Sequence, residues 1–80
     1  MADDRMTGGE LRALLIELLA GATGADPRYW EKLVGKVETF PMAMRPKSNW
    51  DVATTAKKAD GRAFERAVDL VREQHPYVRD

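Results

Sequence analysis

Cysteine is absent from this 80-residue sequence, and histidine occurs once, at position 75. Without cysteine, the chain can form neither a disulfide nor a thiolate–metal cluster. A single histidine also leaves no His–Cys pair for nucleophilic catalysis and no histidine-rich metal site. The segment Gly21–Gly24 lacks the lysine and the preceding strand that a phosphate-binding loop needs. We therefore expect a non-enzymatic protein that uses no catalytic residue, metal or cofactor.

An excess of either charge is missing as well. Thirteen basic residues balance 13 acidic residues, whereas proteins that bind nucleic acids usually carry a basic excess. This balance makes nucleic acid a less favoured partner than protein.

The sequence also lacks a long apolar run. Its most apolar segment, Gly9–Ala20, is interrupted by Glu17 and is far too short to span a bilayer. Two acidic residues, Asp3 and Asp4, precede this segment, whereas a secretory signal peptide has a positively charged start. We expect a cytoplasmic protein without membrane contact.

Helical periodicity dominates what is present, so we predict a mainly α fold, a small three-helix domain that spans residues 7–80. The polar residues 1–6 are expected to form a disordered tail. A capping-box pattern at Thr7 and an Asp26-Pro27 pair mark the starts of the first two helices. The predicted helices run from about Gly8 to Ala20, from Pro27 to about Glu38 and from about Gly61 to Gln74.

Residues 41–59 form the connection before the third helix. Pro41 and Pro46 exclude a continuous helix here. Apolar and polar residues alternate around Met42 and Met44 and again from Trp50, with turn residues between them, so a short β-hairpin is one interpretation. The alternatives are an irregular connection and a helical turn that begins after Ser48.

The first helix has more apolar surface than one face requires, because Ile16 and Leu19 lie off its main leucine stripe. Together with Met42 and Met44, they could form a surface patch that binds a partner protein or a second copy of the chain. The opposing interpretation is that the other helices and the connection enclose the first helix. The sequence does not decide between the two.

Two patterns allow nucleic-acid binding. Small and apolar residues between Leu19 and Leu33 have helix-turn-helix spacing, which would make 27–38 the recognition helix. The second pattern combines basic residues with an aromatic ring, which can stack on a base. In the rival interpretation, that ring closes the core. The candidate contacts are Arg28, Lys32 and Lys36 for the helix, and Arg45, Lys47 and Trp50 for the second pattern.

We conclude from the sequence that this is a small protein-interaction or oligomerisation domain, with a protein partner or itself as a homodimer. The alternative is a helix-turn-helix DNA-binding accessory protein. Two short segments, N-W-D-V at 49–52 and H-P-Y-V at 75–78, look like signature sequences, although no activity follows from them.

Overall fold

The computed structural model describes residues 4–41, 43 and 47–79. These residues form three helices and a two-stranded antiparallel hairpin that precedes the third helix. The elements are α1 (Gly8–Thr23), α2 (Pro27–Leu33), β1 (Val34–Thr39), β2 (Trp50–Thr54) and α3 (Lys58–Gln74). The mainly α class and the hairpin agree with the prediction, whereas the second helix is much shorter than expected.

The predicted capping box starts α1. The Thr7 hydroxyl accepts a hydrogen bond from the Glu10 backbone N–H, and the Glu10 carboxylate accepts one from the Thr7 N–H, each at 3.1 Å. The helix continues past Ala20 to Thr23 and ends at Gly24, whose φ of 76° is left-handed. Glycine adopts this conformation without a Cβ clash, and its N–H caps the last turn by donating to the Ala20 carbonyl.

The second helix begins as predicted, because the Asp26 side chain accepts from the Arg28 N–H at 2.8 Å and Pro27 occupies the first turn. It ends at Leu33, however, and the chain continues as β1. The predicted helix 27–38 is therefore wrong over its second half. The register of the hairpin is irregular between Val34 and Val37. This bulge places both valines in the core, so residues three apart share a face and imitate helical spacing.

Arg12 of α1 secures the junction between α2 and β1. Its guanidinium donates to the Glu31 and Val34 carbonyls at 2.9 Å each and to the Gly35 carbonyl at 3.1 Å. Charged donors form stronger hydrogen bonds than neutral ones. One side chain thus satisfies carbonyls that would have continued the helix, and this long-range contact favours the change to a strand.

The predicted strand that begins at Trp50 is confirmed as β2. It pairs with β1, with Thr39 opposite Trp50 and Val37 opposite Val52. The hairpin hypothesis placed the partner strand around Met42 and Met44, which lie outside the described part of the chain, whereas β2 pairs with residues 34–39. At the other end of the sequence, α3 buries its predicted stripe of Phe64, Ala67, Val68 and Val71.

Helix α1 lies at the centre of the fold and packs against α2, β1 and α3. Both chain ends meet beside it, because the Arg79 N–H donates to the Met6 carbonyl at 2.9 Å and Thr7 forms a parallel bridge with Arg79. Residues 1–3 of the predicted tail lie outside the described residues. Within the described part, no helix combines the length and apolarity needed to cross a membrane.

Candidate functional site

Ile16 and Leu19 do not form a surface patch. They are 5% and 0% exposed, within the core of α1. The expectation that they are left over on the surface is therefore corrected, because α2, β1 and α3 enclose α1 on more than one side. Met42 and Met44, the other half of that predicted interface, lie outside the described residues. The interpretation in which the other elements enclose the first helix therefore holds at Ile16 and Leu19.

The proposed recognition helix is also corrected. Arg28 and Lys32 are exposed on α2, which has only seven residues, and Lys36 is exposed on β1. Arg28 lies 3.5 Å from Asp26 in an exposed ion pair. A helix that ends after Leu33 cannot present all three cations from one helical face.

The second nucleic-acid pattern loses its aromatic group. Trp50 is fully buried, so its ring cannot stack on a base, and the interpretation that it closes the core is confirmed. Lys47 is exposed, whereas Arg45 lies outside the described residues. The described cations of the two patterns therefore remain on separate elements without a shared aromatic platform.

The two signature-like segments contact each other. The Asn49 side-chain amide donates to the Val78 carbonyl and accepts from the Val78 N–H, both at 2.8 Å. The Asn49 N–H donates to the Pro76 carbonyl at 3.1 Å, and the Trp50 indole N–H donates to the His75 carbonyl at 2.8 Å. These contacts fasten the segment after α3 to the start of β2, so both segments have a structural role.

Arg72 crosses from α3 to the same end of β2. Its guanidinium lies over the Trp50 ring, 4.5 Å from the centroid. It also donates to the Trp50 carbonyl at 3.1 Å, to the Ser48 hydroxyl at 3.2 Å and to the Asp51 carboxylate at 3.3 Å. These partners of Arg72 all lie in the segment from Ser48 to Asp51, outside its own helix.

Beyond Arg72, a groove of about 480 Å³ separates β2 from α3, a volume within the range of about 300–1,000 Å³ common for ligand sites. Its floor is apolar and its rim is charged. The floor includes Val52, Phe64 and Val68, and the rim includes Asp51, Glu65, Asp69 and Arg72.

The β2 backbone at this groove is a free strand edge. The Phe40 N–H donates to the Asn49 carbonyl at 2.7 Å, which sets the alternation of a ladder in which every second residue faces the partner strand. The backbone groups of Trp50, Val52 and Thr54 therefore point away from β1, towards the groove. At this edge, each N–H and carbonyl must be satisfied by a side chain, by water or by another strand.

Three of these edge groups are occupied by side chains. The Trp50 N–H donates to the Ser48 hydroxyl at 3.5 Å, and the Trp50 carbonyl accepts from Arg72. The Asp51 carboxylate accepts from the Val52 N–H at 2.9 Å. Within the described part of the chain, the Val52 carbonyl and the Thr54 N–H have no protein partner. The groove thus combines an apolar floor with unpaired backbone groups, which include an acceptor, the Val52 carbonyl, and a donor, the Thr54 N–H.

Away from the groove, Tyr29 and Leu70 are the large apolar side chains that stay exposed in the described residues. The Tyr29 hydroxyl donates to the Asp60 carboxylate, linking α2 to the first turn of α3, and this hydrogen bond raises the pKa of Tyr29 above its ordinary value. The described residues contain no group of three or more metal-ligating side chains.

The groove between β2 and α3 has no signal in the sequence. In the sequence, Glu65 and Asp69 alternate with Arg62 and Arg66, a pattern typical of a salt-bridged solvent face. Their spacing of one helical turn was visible, but the position of a strand edge opposite them was not.

Comparison with family models, with curated proteins and with solved structures finds no match for this chain.

Proposed function

We propose that this domain is a protein-interaction module that binds an extended segment of a partner protein along the free edge of β2. The observation that carries the proposal is the unpaired Val52 carbonyl and Thr54 N–H, which face the groove beneath α3. Strand addition of this kind uses main-chain hydrogen bonds for affinity and the groove walls for side-chain selection.

The unpaired groups have the spacing that a docked strand requires. In a parallel ladder, one residue donates to the carbonyl of residue i and accepts from the N–H of residue i+2, the relationship between Val52 and Thr54. The chain that lines the groove from Val52, in β2, to Ala56, just beyond it, is about 13 Å long at ~3.3 Å per residue. About four residues of a partner therefore fit.

Side chains limit the site at one end. Arg72 closes it at Trp50, so a docked segment lies beyond that point. Asp51 shields the Val52 N–H from unwanted strands, a common protection of exposed edges. A partner carbonyl that displaced the Asp51 carboxylate would add a third main-chain hydrogen bond. The few available backbone groups predict weak, reversible binding.

The proposal differs in two ways from the hypotheses drawn from the sequence. Protein contact is retained, but its site moves from α1 to the β2–α3 groove. A homodimer would use the same edge, with a strand of a second copy as the docked segment. DNA binding through residues 27–38 is not carried forward, because α2 ends at Leu33.

Peptide selection followed by NMR tests the proposal. Seven-residue peptides are selected on the wild-type domain from a random displayed library, and the best is titrated into ¹⁵N-labelled protein. We expect the largest amide shifts between Val52 and Ala56 and along the facing side of α3. Peptides that shift amides elsewhere, or a library that yields no binder, would contradict the proposal.

A pair of variants provides the control. Glu65→Trp places a bulky ring at the groove rim, whereas Glu73→Trp makes the same change at an exposed position of α3 outside the groove. We expect Glu65→Trp to abolish peptide binding and Glu73→Trp to retain it, with both variants folded by circular dichroism. Equal binding by the two variants would exclude the groove as the site.

A further inference from the structure

We propose that the segment bound in this groove is basic and carries lysine or arginine at alternate positions. This inference rests on the proposed function, strand addition at β2, and specifies the chemistry of the partner. It is carried by the charge of the rim and by the spacing of its carboxylates.

The groove rim is acidic. Asp51, Glu65 and Asp69 place three carboxylates around it, against the single guanidinium of Arg72. That cation is already paired with Asp51 at 3.3 Å. Within the described residues, no salt bridge engages Glu65 or Asp69. An incoming anionic segment would therefore be repelled, and a cationic one would find two carboxylates available.

The spacing of Glu65 and Asp69 matches an extended chain. Four residues along a helix rise about 6 Å, and two residues along a strand advance about 6.6 Å. Side chains at alternate positions of a docked strand also point to the same side. Two basic side chains separated by one residue can thus reach Glu65 and Asp69 together.

The floor of the groove suits the stems of those side chains. Lysine and arginine can lay their methylene groups on apolar surface while their charged ends remain in water. Phe64 and Val68 are apolar and line the same groove as the two carboxylates.

Three capped pentapeptides test the inference: acetyl-Thr-Lys-Val-Lys-Thr-amide and the versions with glutamine or glutamate in place of both lysines. Each is titrated into ¹⁵N-labelled full-length protein at low and at raised ionic strength. We expect affinity to fall in the order lysine, glutamine, glutamate. The lysine advantage over glutamine should be roughly two- to fivefold for each ion pair and should shrink as salt is added.

The double variant Glu65→Gln/Asp69→Asn should remove the lysine advantage and still bind the glutamine peptide. A matched double variant, Glu17→Gln/Glu73→Gln, alters exposed carboxylates outside the groove and should keep the advantage. Equal affinity for lysine and glutamine peptides, or an advantage that survives in Glu65→Gln/Asp69→Asn, would overturn the inference and leave strand addition standing. If none of the peptides shifts the amides from Val52 to Ala56, the proposed function itself fails.

Discussion

The guanidinium of Arg72 lies 4.5 Å from the centroid of the Trp50 ring and donates a hydrogen bond to the carbonyl of the same residue. One α3 side chain therefore holds both the ring and the backbone at the start of β2. It also closes one end of the groove, so this contact joins the stability of the fold to the candidate site.

Arg72→Ala should lower the free energy of unfolding by about 1–3 kcal/mol, because it removes a cation–π contact and hydrogen bonds to β2. Urea denaturation measures the change. Arg66→Ala, at an exposed position of the same helix, should alter stability by less than about 0.5 kcal/mol. Similar losses for the two variants would show that the contact with Trp50 contributes little.

Asn49→Ala should destabilise the domain by about 2–4 kcal/mol, because it leaves a buried N–H and a buried carbonyl of Val78 without partners. Hydrogen exchange should show faster opening of the segment from His75 to Arg79. The exposed substitution Thr55→Ala serves as the control. Unchanged exchange in Asn49→Ala would mean that the amide does not fasten the C-terminal segment.

Gly35→Ala should be destabilising, because its Cβ would lie 3.0 Å from the Ala53 carbonyl oxygen in the paired strand. Gly21→Ala makes the same change in α1, where nothing lies within 4 Å of the new Cβ. There we expect a gain of about 0.5–1 kcal/mol, because alanine favours the helix. Thermal denaturation compares the two, and a stabilised Gly35→Ala would contradict the tight approach of β1 to β2.

Ile16→Glu should unfold the domain, because a carboxylate buried among apolar residues costs about 4 kcal/mol or more. A chain of this length has a total stability on the order of 4–12 kcal/mol. The surface-patch hypothesis instead expects weaker self-association with the fold intact. Circular dichroism and sedimentation distinguish these outcomes, and Ala13→Glu, at an exposed position of α1, should remain folded.

Tyr29 should titrate above its ordinary pKa of 10.0, because its hydroxyl donates to Asp60 and the protonated phenol is favoured in the folded state. Its contribution to stability is complete below pH 10 and is lost as the pH rises through the folded-state pKa. Tyrosinate absorbance, with Tyr29→Phe as the blank, measures this titration. In Asp60→Ala the pKa of Tyr29 should fall back towards 10.0. An unchanged titration of Tyr29 in that variant would exclude the hydrogen bond to Asp60 as the cause of the raised pKa.

Local signals predicted the starts of α1 and α2. The capping box of Thr7 and Glu10 and the Asp26-Pro27 pair act within one helical turn, so neighbouring residues carry all of the information. The core stripe of α3 was equally visible, because its period of about 3.6 residues reflects one buried face. A different signal, the large size of its side chain, favoured the interpretation of Trp50 as a core residue.

Tertiary contacts decided the rest. Val34 and Val37 have helical spacing, but pairing with β2 and the guanidinium of Arg12 favour a bulged strand there. Ile16 and Leu19 are covered because three elements surround α1. Their burial depends on partners far away in the chain, which periodicity does not encode.

By itself, the sequence determined that the chain forms no disulfide and where α1 and α2 begin, because both follow from residue type and short-range hydrogen bonding. The tertiary structure alone decided that α3 lies opposite the free edge of β2, so that Glu65 and Asp69 line the same groove as Val52 and Thr54. A strand edge becomes a site only when the fold determines what stands across from it, since its hydrogen-bonding groups belong to the backbone and are the same in every sequence.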